Sequence, residues 1–185
     1  DQTVTAIEIQ DDHTYNEGVI VLSRENLEIR GRTGNTPILT GAGLVDYFIW
    51  IDADDITLRG FEVTGSTNDI IKQHSAHSGL KIVDMVVHGS TEGDCINLKK
   101  CSDCEISDSM IYGCGQEGIS VGPDSSNVKI SDNELFAVDS NHGAIHIYEA
   151  EDVTVSCNYI HDNSASLTFG GYFVTILMFI FVELD

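Results

Sequence analysis

The stretch Asp103-Cys-Glu-Ile-Ser-Asp-Ser-Met-Ile-Tyr112 is followed about 24 residues later by Asn127-Val-Lys-Ile-Ser-Asp-Asn-Glu-Leu-Phe136, a second copy of the same pattern. Working outward in both directions, the first residue of the pattern falls at Asn26, Asp55, Gly79, Asp103, Asn127 and Asp152. Three residues on, an aliphatic stands every time: Ile29, Leu58, Ile82, Ile106, Ile130 and Val155. Eight residues on, from the second copy, stand Val63, Val87, Ile111, Leu135 and Ile160. Apolar residues that alternate within a fixed period mean short strands, each stacked on its counterpart in the next repeat. A period of this length suits three short strands joined by bends. The chain therefore reads as all-β, a single-stranded right-handed parallel β-helix of about six turns, since parallel crossovers are overwhelmingly right-handed.

The third strand of each turn follows from the same columns. Ile49 and Ile51, Ile71, Ile96 and Leu98, Ile119 and Val121, and Ile145 and Ile147 take its inward places. Side chains alternate along a strand, so the residues between them point outward. One outward row is expected at Trp50, Lys72, Asn97, Ser120 and His146, and a second at Asp52, His74, Lys99, Gly122 and Tyr148. A variable polar loop precedes each of these strands, and in a solenoid such loops gather on one face that commonly binds.

The residues from about Tyr15 to Asn163 resemble the right-handed parallel β-helix repeats of the pectate-lyase-like superfamily. The likeness rests on Ser131-Asp-Asn133 ahead of a short strand, on Gly118-Ile-Ser-Val121 after a loop, and on the opening Ile7-Glu-Ile-Gln-Asp-Asp-His-Thr-Tyr15. It implies a fold more firmly than an activity, because these repeats serve lyases, glycosidases, epimerases, adhesins and inert surface proteins. In lyases of the superfamily, calcium held by acidic residues neutralises a uronate while a Lys or Arg takes the adjacent proton. The resemblance therefore implies Ca2+ as a cofactor and an acidic polysaccharide as substrate. The Asp-Asp and Gly-His-Gly arrangement of related polygalacturonases is absent from the sequence.

The acids give that implication a place to act. Asp69, Asp94 and Glu117 each stand two residues before the first inward aliphatic of a third strand. Equal positions in successive turns lie about 4.8 Å apart, so three acids there repel unless a cation or bound protons compensate. Calcium favours several oxygen ligands at such spacing, and these three residues are the candidate metal ligands. The alternative is a set of polar loop acids facing water. Lys72 and Lys99 project beside the acids as candidate bases, with Lys72 preferred because Asp69 and Asp94 flank it. Trp50, His74, Asn97, His146 and Tyr148 are candidate sugar contacts. A second acid file, Asp84, Asp108 and Asp132, falls in the tight turn between the first two strands and reads as structural.

Other side chains are read more plainly. His142 and His146 span roughly 13 Å along an extended chain at ~3.3 Å per residue, too far to share an ion unless the chain bends. His88 and His161 share a column with Thr64, Tyr112 and Phe136, which suggests ring stacking along a wall. Five cysteines read mainly as small buried residues, with a disulfide or metal clip between Cys101 and Cys114 as the alternative.

With 185 residues the chain is long enough for one domain with a continuous core, divided as 1–168 for the coil and 169–185 for an apolar terminal strand. That strand is expected to close the last turn or to pair with another subunit as a homodimer, and it is too short to span a membrane. The lack of an amphipathic capping helix ahead of the repeats points to a partial domain. A net charge of −21 with only nine Lys and Arg excludes nucleic acid and anionic membranes as partners. Secretion or a cell-surface position is expected, with no signal-like segment in this chain. Three functions fit: a calcium-assisted polysaccharide lyase, a non-catalytic sugar-binding or surface β-helix, and a structural module that self-associates through its terminal strand.

Overall fold

The computed structural model describes residues 5–140, 142–165, 167–170, 174–176 and 181–182. They form a right-handed coil of three parallel sheets, with no helix among the described residues. The first sheet runs from Thr5–Ile9 through Leu27–Gly31 and Ile56–Arg59 to Val174–Ile176, and the second from Thr14–Asn16 to Phe181–Val182. The third runs from Ile20–Leu22 through Ile49–Ile51, Ile71–Gln73, Ile96–Leu98 and Ile119–Val121 to Ile145–Tyr148 and Leu167–Gly170.

Register follows the sequence columns. Ile29 pairs with Leu58, Leu58 with Ile82, Ile82 with Ile106, Ile106 with Ile130 and Ile130 with Val155. On the second sheet, Val63, Val87, Ile111, Leu135 and Ile160 pair in turn. These aliphatics are fully buried from Leu58 and Val63 onward, so each contributes about 1.5–3 kcal/mol of apolar burial. The longer second turn absorbs its extra residues in the loop at 32–37 and in a register shift between Thr40 and Val45.

The bends explain the polar columns. Asn26, Asp55, Gly79, Asp103, Asn127 and Asp152 all have φ between 51° and 75°, in the left-handed region. Asn, Asp and Gly are the residues that enter that region at least cost, which is why the repeat announces itself there. Gly60, Asp84, Asp108, Asp132 and Cys157 form a second left-handed column. The file Asp84, Asp108, Asp132 is thus structural through its backbone. Just past it, Asn133 and Asn158 are buried and stacked. Asn158 Oδ1 accepts both the backbone N–H and the side-chain amide of Asn133, at 3.0 Å each. Asn133 Oδ1 accepts the Ser109 N–H at 3.0 Å, and its Nδ2 donates to the Ile106 carbonyl at 2.9 Å.

Two cysteine pairings are observed, and they correct the Cys101–Cys114 alternative. Cys95 bonds Cys114 with Cα atoms 5.5 Å apart, and Cys101 bonds Cys104 at 6.4 Å. Cys95 opens a third strand, and Cys114 leaves the second strand of the next turn, so both point into the same corner. Cys157 is free and exposed. The expected aromatic wall is present: His88, Tyr112, Phe136 and His161 stack with centroids 4.5, 4.8 and 5.3 Å apart. The expected apolar terminal segment at 169–185 lies only partly within the described residues. There, Val174–Ile176 pairs with Val153–Val155 and Phe181–Val182 with Tyr159–Ile160.

Candidate functional site

The outer face of the third sheet carries the predicted rows. Trp50, Lys72, Asn97, Ser120 and His146 pair successively, with Thr168 continuing the row. The acids Asp69, Asp94 and Glu117 lie at its entrance and are buried, at 4, 3 and 5% exposure. They are not loop acids facing water.

The ladder is held by donors arranged in steps. Asp69 accepts the Asp94 N–H at 3.1 Å, and Asp94 accepts the Glu117 N–H at 3.0 Å. Burial pushes the Asp94 carboxyl up to about 9, with the hydrogen bond to Glu117 and the charges of Glu117 and Asp69 adding to the rise. Asp94 is therefore protonated at neutral pH. Burial pushes Glu117 upward too, but its bonds with Asp94 and His142 outweigh that and hold it below the ordinary range. At the other end, Lys72 Nζ sits 3.1 Å from Asp69 Oδ2 and 3.5 Å from the centre of the Tyr47 ring. The ladder's charge is thus balanced by an ammonium, a proton and backbone amides.

This arrangement separates the two lysines. Lys72 is 7% exposed, paired and covered by Tyr47. Breaking a buried pair of this kind leaves an uncompensated charge, so the Lys72–Asp69 contact helps hold the ladder together. Lys99 has no ion-pair partner among the described residues. Its Cγ would lie 3.1 Å from a Cβ added at Gly122, and the Tyr148 hydroxyl would lie 2.7 Å from the same point. The missing side chain at Gly122 thus leaves a floor over which Lys99 and Tyr148 converge. His74 Nε2 lies 3.0 Å from Asn97 Oδ1. Burial keeps His74 below its ordinary pKa, and nearby Lys72 and Lys99 add to this against the pull of Asn97, so the ring is neutral at pH 7. Trp50 stands 6.5 Å from His74 and edge-on to Tyr47 at 5.8 Å.

At the far end, His142 and His146 come together, contrary to the straight-strand estimate. Gly143 has φ 110°, a conformation that breaks the extended path. The two rings stack at 4.8 Å, and Tyr148 stacks on His146 at 4.8 Å. Both Nδ1 atoms face Glu117 Oε1, at 2.7 Å from His142 and 3.6 Å from His146. Burial holds His146 below its ordinary pKa, against the charge of Glu117. Sequence reasoning missed Tyr47 and Ser140 as parts of this face and left His142 apart from His146 unless the chain bends, which it does. Tyr47 lies in the loop just before a third strand, where the other loops already contribute, and that position was the available signal. Arg30, Arg32 and Arg59 line a separate cleft between the first two sheets, so none serves the third-sheet face.

A coil of parallel strands with one polar, loop-fringed face defines the β-helix class of proteins. Over residues 3–177 the chain matches the family described as right handed beta helix region, and it belongs to that family. No curated protein sequence matches it. Among solved structures, it is similar to pectate lyase Pel9A (TM-score 0.71, 11% identity), covering 92% of this chain and 50% of that one. It is also similar to the A-module of the mannuronan C-5 epimerase AlgE6 from Azotobacter vinelandii (0.57, 15%), covering 85% and 52%. The alginate lyase from Paenibacillus sp. str. FPU-7 is a third match (0.55, 13%), covering 86% and 70%. The chain spans about half the length of the first two. At these identities the likeness shows the fold.

Proposed function

We propose that the third-sheet face binds an acidic polysaccharide and that Lys99 is the base of an elimination on it. The carrying observation is the convergence of the Lys99 stem and the Tyr148 hydroxyl over Gly122, with Lys99 free of any ion pair among the described residues and His74 hydrogen-bonded to Asn97 on the same face. The similar structures are named for action on pectate, mannuronan and alginate, all polymers of uronic acids, and this supports the substrate class. In such a step Lys99, in its free-amine form, takes the proton next to the uronate carboxylate. The carbon–oxygen bond one carbon away breaks, and Tyr148 protonates the departing sugar oxygen. The product carries a carbon–carbon double bond that absorbs ultraviolet light.

Calcium fits this reading with a condition. The oxygens of Asp69, Asp94 and Glu117 suit the ion chemically. Binding there would take the proton from Asp94 and loosen Lys72 from Asp69, so calcium uptake would release protons. The Cys95–Cys114 disulfide supports a secreted or cell-surface setting, where such bonds persist. A second reading, a non-catalytic module that self-associates, draws support from Val174–Ile176 and Phe181–Val182, which end their sheets among the described residues.

The test is incubation with polygalacturonate and alginate, with and without Ca2+, following ultraviolet absorbance, glycan retention and oligomeric state together. Turnover that Lys99→Ala lowers by about 10²–10⁴-fold, far more than it lowers glycan retention, is the expected result. Retention without turnover favours a binding protein. A dimer with neither retention nor turnover favours the structural module and sinks the polysaccharide reading.

A further inference from the structure

The donor set at the end of the third-sheet face differs in kind from the acid ladder. Glu117, His142 and His146 each offer one ligand atom, and these atoms all lie within 4.8 Å of one another. Two imidazole nitrogens aimed at one carboxylate oxygen do not suit calcium or magnesium, which take oxygen shells. They suit a borderline divalent ion such as Zn2+. We propose that Glu117, His142 and His146 form a site for a divalent transition metal of the Zn2+ class, which shares Glu117 with the acid ladder but differs from it in its two imidazole donors and does not depend on the polysaccharide reading.

The site is built rather than incidental. Glu117 is buried, and its backbone N–H is anchored to Asp94. Ser140 Oγ donates to Glu117 Oε1 at 3.4 Å and accepts the His142 N–H at 3.0 Å, tying the loop to the carboxylate. The Tyr148 ring packs against His146 and fixes its plane. Outer partners of this kind orient metal ligands. His142 is 62% exposed, so the fourth coordination position opens to solvent, as in sites that keep a water or a substrate oxygen. The bend at Gly143 brings the two rings to one ion, which a straight strand would keep apart.

The test uses the full chain, freed of metal by dialysis, titrated with Zn2+ by calorimetry and with Co2+ by visible spectroscopy. One ion per chain is expected, with a cobalt spectrum free of sulfur charge-transfer bands, which separates this site from the exposed Cys157. A hundredfold excess of Ca2+ should not displace the ion. His142→Ala removes an exposed side chain together with its bond to Glu117; the metal-free chain should still unfold in one cooperative transition, while Zn2+ affinity falls. Losing a direct ligand should cost at least the about 10–100-fold that losing an outer partner costs. His146→Ala should do the same. No binding, binding unchanged in His142→Ala, or easy displacement by Ca2+ would each overturn the proposal.

Discussion

Asp94 shows how one buried carboxyl shapes the behaviour of its surroundings. In the folded chain it keeps its proton up to about pH 9, whereas an unfolded Asp releases it near ~4. Between those values the folded state holds one more proton than the unfolded state. Stability from this group is therefore fully present below the unfolded pKa and is lost as pH rises toward the folded one. Asn at this position mimics the neutral acid: its oxygen can accept the Glu117 N–H and its amide can donate to the Glu117 carboxylate. The melting temperature of Asp94→Asn should gain on that of the wild type steadily from pH 5 to pH 8.5, reaching several degrees or more at the upper end, as calorimetry over that range would show. Equal melting curves at both pH values would mean that Asp94 is ionised in the native state. The sequence located this ladder correctly, because its register follows from the period. It did not reveal the ladder's charge, which depends on how deeply the corner is buried and on the reach of Lys72 over Tyr47.

At the scale of strand and bend, the left-handed columns and the asparagine stack divide the work of turning the chain. Asp132 is exposed and serves through its φ of 60°, a value that glycine adopts freely. Asn133, one residue on, is buried and serves through its side chain. Asp132→Gly should therefore change stability by well under ~1 kcal/mol. Asn133→Ala leaves the Ser109 N–H and the Ile106 carbonyl without their partners and should cost about 2–4 kcal/mol. Denaturant unfolding of the two variants separates these roles, and similar losses in both would contradict the division. The columns were legible because few residue types tolerate a left-handed backbone and the period repeats them. The His142–His146 contact was not, since a pattern of alternating residues carries no sign of the bend at Gly143. The Cys95–Cys114 bond was hidden for a related reason. It joins different columns of adjacent turns, and only the shape of the corner brings them together.

Over the whole molecule, a net charge of −21 sets the terms for binding a polyanion. At ~10 mM salt the Debye length is about 30 Å, so an approaching uronate chain feels the acids of the entire coil. Near physiological salt it is about 8 Å, and under the proposed reading Lys99 dominates at close range. Repulsion over long distances is thus screened before attraction at contact is. A basic lectin would lose affinity for such a chain steadily as salt rises. Here affinity for oligogalacturonate should rise several-fold from ~10 to ~150 mM NaCl and then fall as contact itself is screened, a maximum that calorimetry at fixed pH without divalent ions would reveal. Lys99→Met should lower the curve and flatten its falling limb. A monotonic loss of affinity from the lowest salt upward would place the binding contacts in a broad cationic field. No such field is available on this face, so that outcome would move the glycan elsewhere on the coil, with the arginine cleft between the first two sheets as the next surface to test.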